Sequence, residues 1–291
     1  MKICYVLAIA LLSLFSAPVY AVPSVLVQSV HMPVWLQRDG ARMPLSAGMQ
    51  LNNNDQLITG QNARVLLQTA DGSAVKLGEY ASMTISNLAQ QRDNQAVFTA
   101  LLNVAKGAFR FTTDALAKLK PREITISVSH ATIGIRGTDV WGKDGDDKGV
   151  VCLIEGKISV TGEDKNEFTM DAPLSFYEMP KAQAAKPVAP VDPEQLKKWA
   201  LETEITPGLG AAVSGGKWKV VLLQVDNQAA ALAAYDAWSN AGYAVRIVPV
   251  KKEQTYEYQL RIVQLPSQSE AASLAKALTG KLGASAPVVV R

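Results

Sequence analysis

The sequence predicts two domains in tandem: an all-β domain over residues 22–179 and a smaller α+β domain of ferredoxin-like β-α-β-β-α-β order over 215–291. Three observations carry that prediction. The first half runs through many short β-forming stretches parted by turn pairs such as Asp-Gly, the pattern of a sandwich or rolled sheet. Residues 180–214 then change texture. Pro180, Pro187, Pro190, Pro193 and Pro207 stand among Ala, Gly and Ser, which reads as a linker, semi-rigid where proline dominates and looser at Gly215-Gly216. Beyond it, strand-like and helix-like segments alternate as in a split βαβ unit.

Residues 1–21 are read as a secretory address. Lys2 supplies a short positive region, "ICYVLAIALLSLF" is an apolar run too short to span a bilayer, and Val19 and Ala21 suit cleavage after Ala21. No second run of the roughly 20 apolar residues a membrane helix needs follows it. The expected product is periplasmic, with no membrane span after cleavage. Cleavage would remove Cys4, one of two cysteines, so Cys152 would have no intramolecular partner. Cys152 lies in an apolar run and reads as a buried hydrophobe. The 29 basic residues would lose only Lys2 and the 26 acidic residues none. That near-balance gives no argument for nucleic-acid binding.

In the first domain, Asp39-Gly40 and Asp71-Gly72 each sit between β-forming runs and predict hairpins, because the central residues of such turns must tolerate positive φ. "TDALAKL", ended by Pro121, is the one helical stretch expected there. "EITISVS" puts Ile124, Ile126 and Val128 on one face and Thr125, Ser127 and Ser129 on the other, a half-buried strand. "GVVCLIEGKISVTG" predicts two more strands around Glu155-Gly156. Within the linker, Asp192 as N-cap and Pro193 at the first helical position predict a short helix through Trp199 that could dock on either domain.

In the second domain, "KWKVVLLQV" is a strand. Asn227 caps a helix over 228–241, in which Ala229, Ala230, Ala233 and Ala234 would let it lie close to the sheet, and Gly242 stops it. "YAVRIVPV" and "YEYQLRIVQL" are the second and third strands. Ser267 and Glu270 form a capping box for a helix ending near Gly280, and "PVVV" closes the sheet. Period-two alternation places Arg246, Gln259 and Arg261 on the polar phases of their strands, and Gln224 in phase with Trp218. If those phases face away from the helices, the open face offers amides, guanidinium groups and one indole, a mix suited to a polar glycan. Tyr256 and Tyr258 fall on the opposite phase, under the helices, unless a bulge shifts the strand.

"SHATIGIRGTDVW", residues 129–141, has the look of a functional loop. No Ser-His-Asp order or metal-ligand spacing supports catalysis, however. The expected role is structural. Gly134 and Gly137 would permit a tight corner, Arg136 and Asp139 could pair across it, and Thr138 could satisfy a turn amide. "DGDDKGVVCLIE", from Asp144, echoes a calcium loop, but Lys148 stands where an oxygen ligand belongs, so a solvated hairpin is expected. No metal or cofactor is called for.

The residues also carry two resemblances. "DGARMPLSAGMQLNNNDQLITGQNARVLLQTADGSAVKLGE", "HATIGIRGTDVW" and "CLIEGKISVTG", in that order, resemble a FecR-type domain. "WKVVLLQVDN", "NAGYAVRIV" and "YQLRIVQLP" are similar to a SPOR domain, although Leu265 replaces the usual glycine before the proline and Asp226-Asn227-Gln228 replaces the usual Gly-Ser-Phe. The SPOR resemblance implies binding to peptidoglycan glycan strands that lack stem peptides, and enrichment at division septa. The contacts it would use are Trp218, Gln224, Asn227, Arg246, Gln259 and Arg261. The expected protein is a non-enzymatic periplasmic one whose FecR-like domain binds a further ligand or a periplasmic or outer-membrane protein. One alternative is a protein-binding scaffold or envelope-signalling accessory without glycan binding. Another is a wall hydrolase using Asp139 and Glu155, which nothing in the sequence brings together.

Overall fold

A computed structural model describes residues 25–91, 97–115, 122–162, 165–181 and 183–291. The secretory address and the greater part of the "TDALAKL" helix lie outside them. The N-terminal domain is all-β, as expected. Its two sheets share the long strand Val97–Thr112. Up to Lys106 this strand pairs with Ser82–Gln91 and runs parallel to Arg122–Val128; from Gly107 onward it pairs with Asp139–Asp144 and, farther along, with Ala74–Leu77. The changeover needs glycine. Gly107 has φ +88°, and a Cβ there would stand 2.5 Å from the Ala81 Cα. Between the sheets lies one apolar core that includes Leu36, Leu57, Leu67, Phe109, Phe111, Ile133 and Val160, all fully buried.

Local turn chemistry behaves as predicted at Asp39-Gly40, where both residues take positive φ and Arg38 faces Ala41. At Asp71 the mechanism differs. The loop runs from Thr69 to Ser73, closed by Thr69 N–H donating to the Ser73 carbonyl, and the Asp71 carboxylate accepts from both hydroxyls. Only Gly72 has positive φ there. In Arg122–Val128, Ile124, Ile126 and Val128 are buried as the alternation requires. The strands Lys148–Glu155 and Ile158–Gly162 both form, but on different sheets, so the chain changes layer at Gly156.

Residues 180–214 are fastened down along much of their length. Ala189–Pro190 pairs with Ser175–Phe176. Helix α1, Pro193–Leu201, is capped by the Asp192 side chain, which accepts from the N–H groups of Glu194 and Gln195. It docks on the β domain: Trp199 stacks on the fully buried Trp141, with centroids 4.8 Å apart and planes 8° apart, and meets Phe176 edge-on. Lys143–Glu202, Lys76–Glu204 and Arg110–Glu204 ion pairs hold the following turn. Ala212–Val213 then adds to strand Val25–His31. The Gly215-Gly216 pair is not loose throughout. A Cβ on Gly216 would lie 2.3 Å from the Gln264 carbonyl oxygen.

The C-terminal domain is α+β. Strands Trp218–Val225, Val245–Lys252, Thr255–Leu265 and Val288–Val290 form an antiparallel sheet in the order second, third, first, fourth. Helices α2, Gln228–Asn240, and α3, Gln268–Leu278, pack on it. Asn227 and Ser267 cap them. Two expectations about the helices are corrected. In α2 the buried side chains are Ala231 and Trp238; of the four alanines expected on the sheet side, Ala230 is half-buried and Ala234 packs against the core, while Ala229 and Ala233 face solvent, because the helix is rotated to seat the large indole. In α3 Glu270 does not close a capping box. Its carboxylate reaches the linker and accepts from the N–H groups of Gly208 and Gly210, at 2.6 and 2.7 Å.

Candidate functional site

The sheet face opposite the helices is assembled from cross-strand rungs. Val288, Val221, Arg261 and Arg246 form one rung; Gln224, Gln259 and Val248 form the next; Glu257 and Val250 form a third. Its polar groups are linked in a string. Lys252 Nζ donates to Glu257, Gln224 Nε2 donates to the other Glu257 oxygen, Gln259 Nε2 donates to Gln224 Oε1 at 2.8 Å, and Arg261 donates through Nε and a terminal nitrogen to Gln259 Oε1 at 2.9 and 2.6 Å. Arg246, directly opposite Arg261, is exposed and has no side-chain partner among the described residues. Among the described residues the β domain meets this sheet at one end, where Gly48 meets the Gln264 side chain, Met32 Sδ accepts from the Ala244 N–H, and Arg246 borders a small cavity shared with Ser46 and Ala47. The valines between the polar groups are half-buried or exposed, so the face alternates apolar strips with hydrogen-bonding groups.

Four of the six sequence-predicted contacts therefore share this face: Gln224, Arg246, Gln259 and Arg261. Two do not. Trp218 packs against the hydrophobic core and pairs with the fully buried Leu265. The cause is an extra residue between Val221 and Leu223, which turns Gln224 to the opposite side from Trp218 despite their even spacing. Asn227 lies beyond the strand, and its side-chain oxygen accepts from the Ala230 N–H as the cap of α2. Sequence reasoning missed Glu257 and Lys252. Glu257 had a signal, since it continues the alternation of Arg261 and Gln259; Lys252 is brought in by the hairpin. Tyr258 is half-buried on the helix side, but Tyr256 is 53% exposed at the hairpin end, beyond cover from the helices.

The motif at 129–141 is a corner between sheets. Ala131–Ile135 belongs to one sheet and Asp139–Asp144 to the other. Gly137, at φ +72°, crosses the second changeover at Gly156, where a Cβ would stand 2.4 Å from the Gly137 carbonyl oxygen. At Gly134 the fit is close but less demanding: a Cβ there would meet only the Ser159 hydroxyl, at 2.5 Å, which a turn of that side chain would relieve. The expected Arg136–Asp139 pair does not form. Arg136 is exposed, and both Asp139 oxygens are held by Arg110 on the long central strand, at 2.8 and 2.6 Å. Arg110 is correspondingly raised in pKa by that hydrogen bond. Thr138 serves through its backbone, exchanging bonds with Thr113, while its own hydroxyl is buried without a partner.

Asp139 and Glu155, which nothing in the sequence brings together, become rung neighbours in the fold. Asp144–Glu155 forms a hairpin with Asp146 and Asp147 in solvent, and Asp144 is buried and accepts from the Ser129 N–H. Cys152 is fully buried, and desolvation pushes its thiol to about 12. Among the described residues no helix is long and apolar enough to cross a membrane.

Comparison with known proteins bears on both halves. Residues 55–159 match the family model for FecR protein, and residues 214–291 match that for the SPOR domain. No curated protein matches the chain. Two crystal structures described as an anti-sigma factor from Parabacteroides distasonis ATCC 8503 align at 12% and 11% identity. Each covers 77% of this chain, and 89% and 90% of its own, with TM-scores of 0.41 and 0.40.

Proposed function

We propose, from a chain that joins a FecR region to a SPOR domain, that this protein is a non-enzymatic component of the periplasm which grips peptidoglycan glycan strands lacking stem peptides. The SPOR domain itself implies peptidoglycan binding. The observation that carries the finer reading is the string Lys252–Glu257–Gln224–Gln259–Arg261 on a face the helices leave open, with the Arg246 guanidinium beside it unpaired. Amides and guanidinium groups bond sugar hydroxyls, acetamido carbonyls and carboxylates, and the valine strips accept apolar sugar C–H surface. A strand stripped of peptides can lie flat on such a sheet, whereas stem peptides would hold it off.

The FecR region would then be the cargo, carried to sites of naked glycan, division septa among them, and presented there to a periplasmic or outer-membrane partner. The test is a pull-down of the full chain on purified glycan strands with and without stem peptides. Wild type should be retained on the stripped strands. Gln259→Ala or Arg261→Ala should lose at least about tenfold in retention with unchanged circular dichroism, the scale of one lost hydrogen bond to a charged group. Equal retention of variants and wild type would refute the site. A photocrosslinker at position 246 that captures a protein instead of glycan would favour an envelope-signalling accessory.

A further inference from the structure

The open sheet face carries a like-charge pair that its own residues leave unbalanced. Arg246 and Arg261 are direct cross-strand partners. Side chains so placed have Cβ atoms about 4.5–5.5 Å apart, and like charges there work against folding. Arg261 leans on a neutral group, donating from Nε and a terminal nitrogen to the Gln259 amide oxygen. Arg246 is exposed and has no side-chain partner. Among the described residues no carboxylate pairs with either guanidinium.

The surroundings do not supply the missing charge. Glu257, the carboxylate of the polar string, lies four residues along the strand from Arg261, about 13 Å at the usual rise, and is taken by Lys252 and Gln224. The rung neighbours of the pair are Val221 and Val288. The β-domain residues that share a small cavity with Arg246, Met32, Leu45, Ser46 and Ala47 among them, are uncharged.

A ligand that answers this arrangement brings a carboxylate. A guanidinium fork holds both carboxylate oxygens through parallel N–H bonds, stronger than bonds between neutral groups. A neutral sugar could offer hydroxyls to the same atoms but would leave the two positive charges uncompensated. In peptidoglycan the lactyl carboxyl of N-acetylmuramic acid is an amide wherever a stem peptide is attached. It becomes a free carboxylate once the peptide is removed.

We infer that the Arg246–Arg261 pair is the subsite for the free lactyl carboxylate of N-acetylmuramic acid. The inference rests on the glycan reading above and gives it a chemical cause. The pair recognises the charge that removal of the stem peptide creates, beside the space that it vacates.

The test compares retention of the full chain on purified naked strands with retention on the same strands after their carboxyls have been coupled to methylamine. That treatment removes the charge and adds too little bulk to mimic a peptide. Wild type should hold the untreated strands at least about tenfold better, the scale of a hydrogen bond to a charged group. Arg246→Gln should narrow that ratio, and Arg246→Gln/Arg261→Gln should bring it to parity. Free N-acetylmuramic acid should compete for the untreated strands more strongly than N-acetylglucosamine or triglutamate. Without glycan, Arg246→Gln should unfold at the same or a higher denaturant midpoint, because it relieves the like-charge pair. Equal retention of wild type on both kinds of strand would overturn the carboxylate subsite and leave the glycan reading standing, whereas retention on neither would overturn both. An unchanged ratio in the double variant, stronger competition by triglutamate, or a lowered midpoint in Arg246→Gln would each overturn the assignment.

Discussion

Gly242 lies so close to the indole of Trp35 that a Cβ on the glycine would stand 2.7 Å from the ring. The contact joins the two domains. Trp35 Nε1 donates to the Asn240 carbonyl at 3.1 Å, and Val34 N–H donates to that of Gly242 at 3.0 Å. Arg42 stacks over the same ring, 4.3 Å from its centroid. The turn that ends α2 is thus a docking element as well as a helix stop.

Replacing Gly242 with alanine should therefore destabilise the protein by about 2–4 kcal/mol, since the methyl group meets the ring and the residue sits at φ +84°. Chemical denaturation followed by tryptophan emission reads this directly. An unchanged midpoint would mean that the domains do not rely on this seat.

Trp199→Ala removes the ring that stacks on Trp141 and should release α1 from the β domain. Because Trp199 is only half-buried, the expected loss is about 2–3 kcal/mol, at or below the low end for aromatic truncations. Limited proteolysis should cut residues 180–210 markedly faster than in wild type. Equal cutting rates would show that the ion pairs of Glu202 and Glu204 suffice to hold the segment.

His31 titrates below its ordinary value, chiefly because burial disfavours the charged ring; Arg64 and Lys281 add to the effect and Glu270 opposes it. A histidine whose folded pKa is depressed favours folding while neutral. Its contribution is complete above about pH 6.5, the unfolded value, and declines as pH falls below that. His31→Gln should flatten the slope of stability between about pH 7 and 5. The same slope in variant and wild type would assign the dependence to other groups.

Cys152, buried and held near 12 by desolvation with a smaller push from Asp139, should resist iodoacetamide at pH 8 in the native protein and react only as fast as the chain unfolds. Rapid stoichiometric labelling of folded protein would contradict that burial.

Much of this architecture is legible in local pattern. The alternation in Arg122–Val128, the positive-φ turn at Asp39-Gly40 and the caps at Asp192, Asn227 and Ser267 each depend on residues within a few positions of one another. So do the phases of Arg246, Gln259 and Arg261. The failures share a different character. Trp218 left the predicted face because one extra residue after Val221 reverses the side on which later residues emerge, and a bulge has no signature in an apolar run. Asp139 took Arg110, 29 positions away, over Arg136, three away, because strand pairing lays Arg110 alongside it. Glu270 has the spacing of a capping box, yet its carboxylate serves Gly208 and Gly210.

By itself, then, the amino-acid order determined the two domain classes, most strands and helix caps, and the shared face of Gln224, Arg246, Gln259 and Arg261 in the last domain. These follow from backbone geometry and side-chain periodicity, which act over a single turn or strand. Only the tertiary structure decided that the proline-rich stretch is clamped between both domains, that α1 docks on Trp141 through Trp199 and that Trp35 seats Gly242. Those outcomes depend on which surfaces meet once the sheets have closed, a choice made by burial and steric fit between residues far apart in the chain.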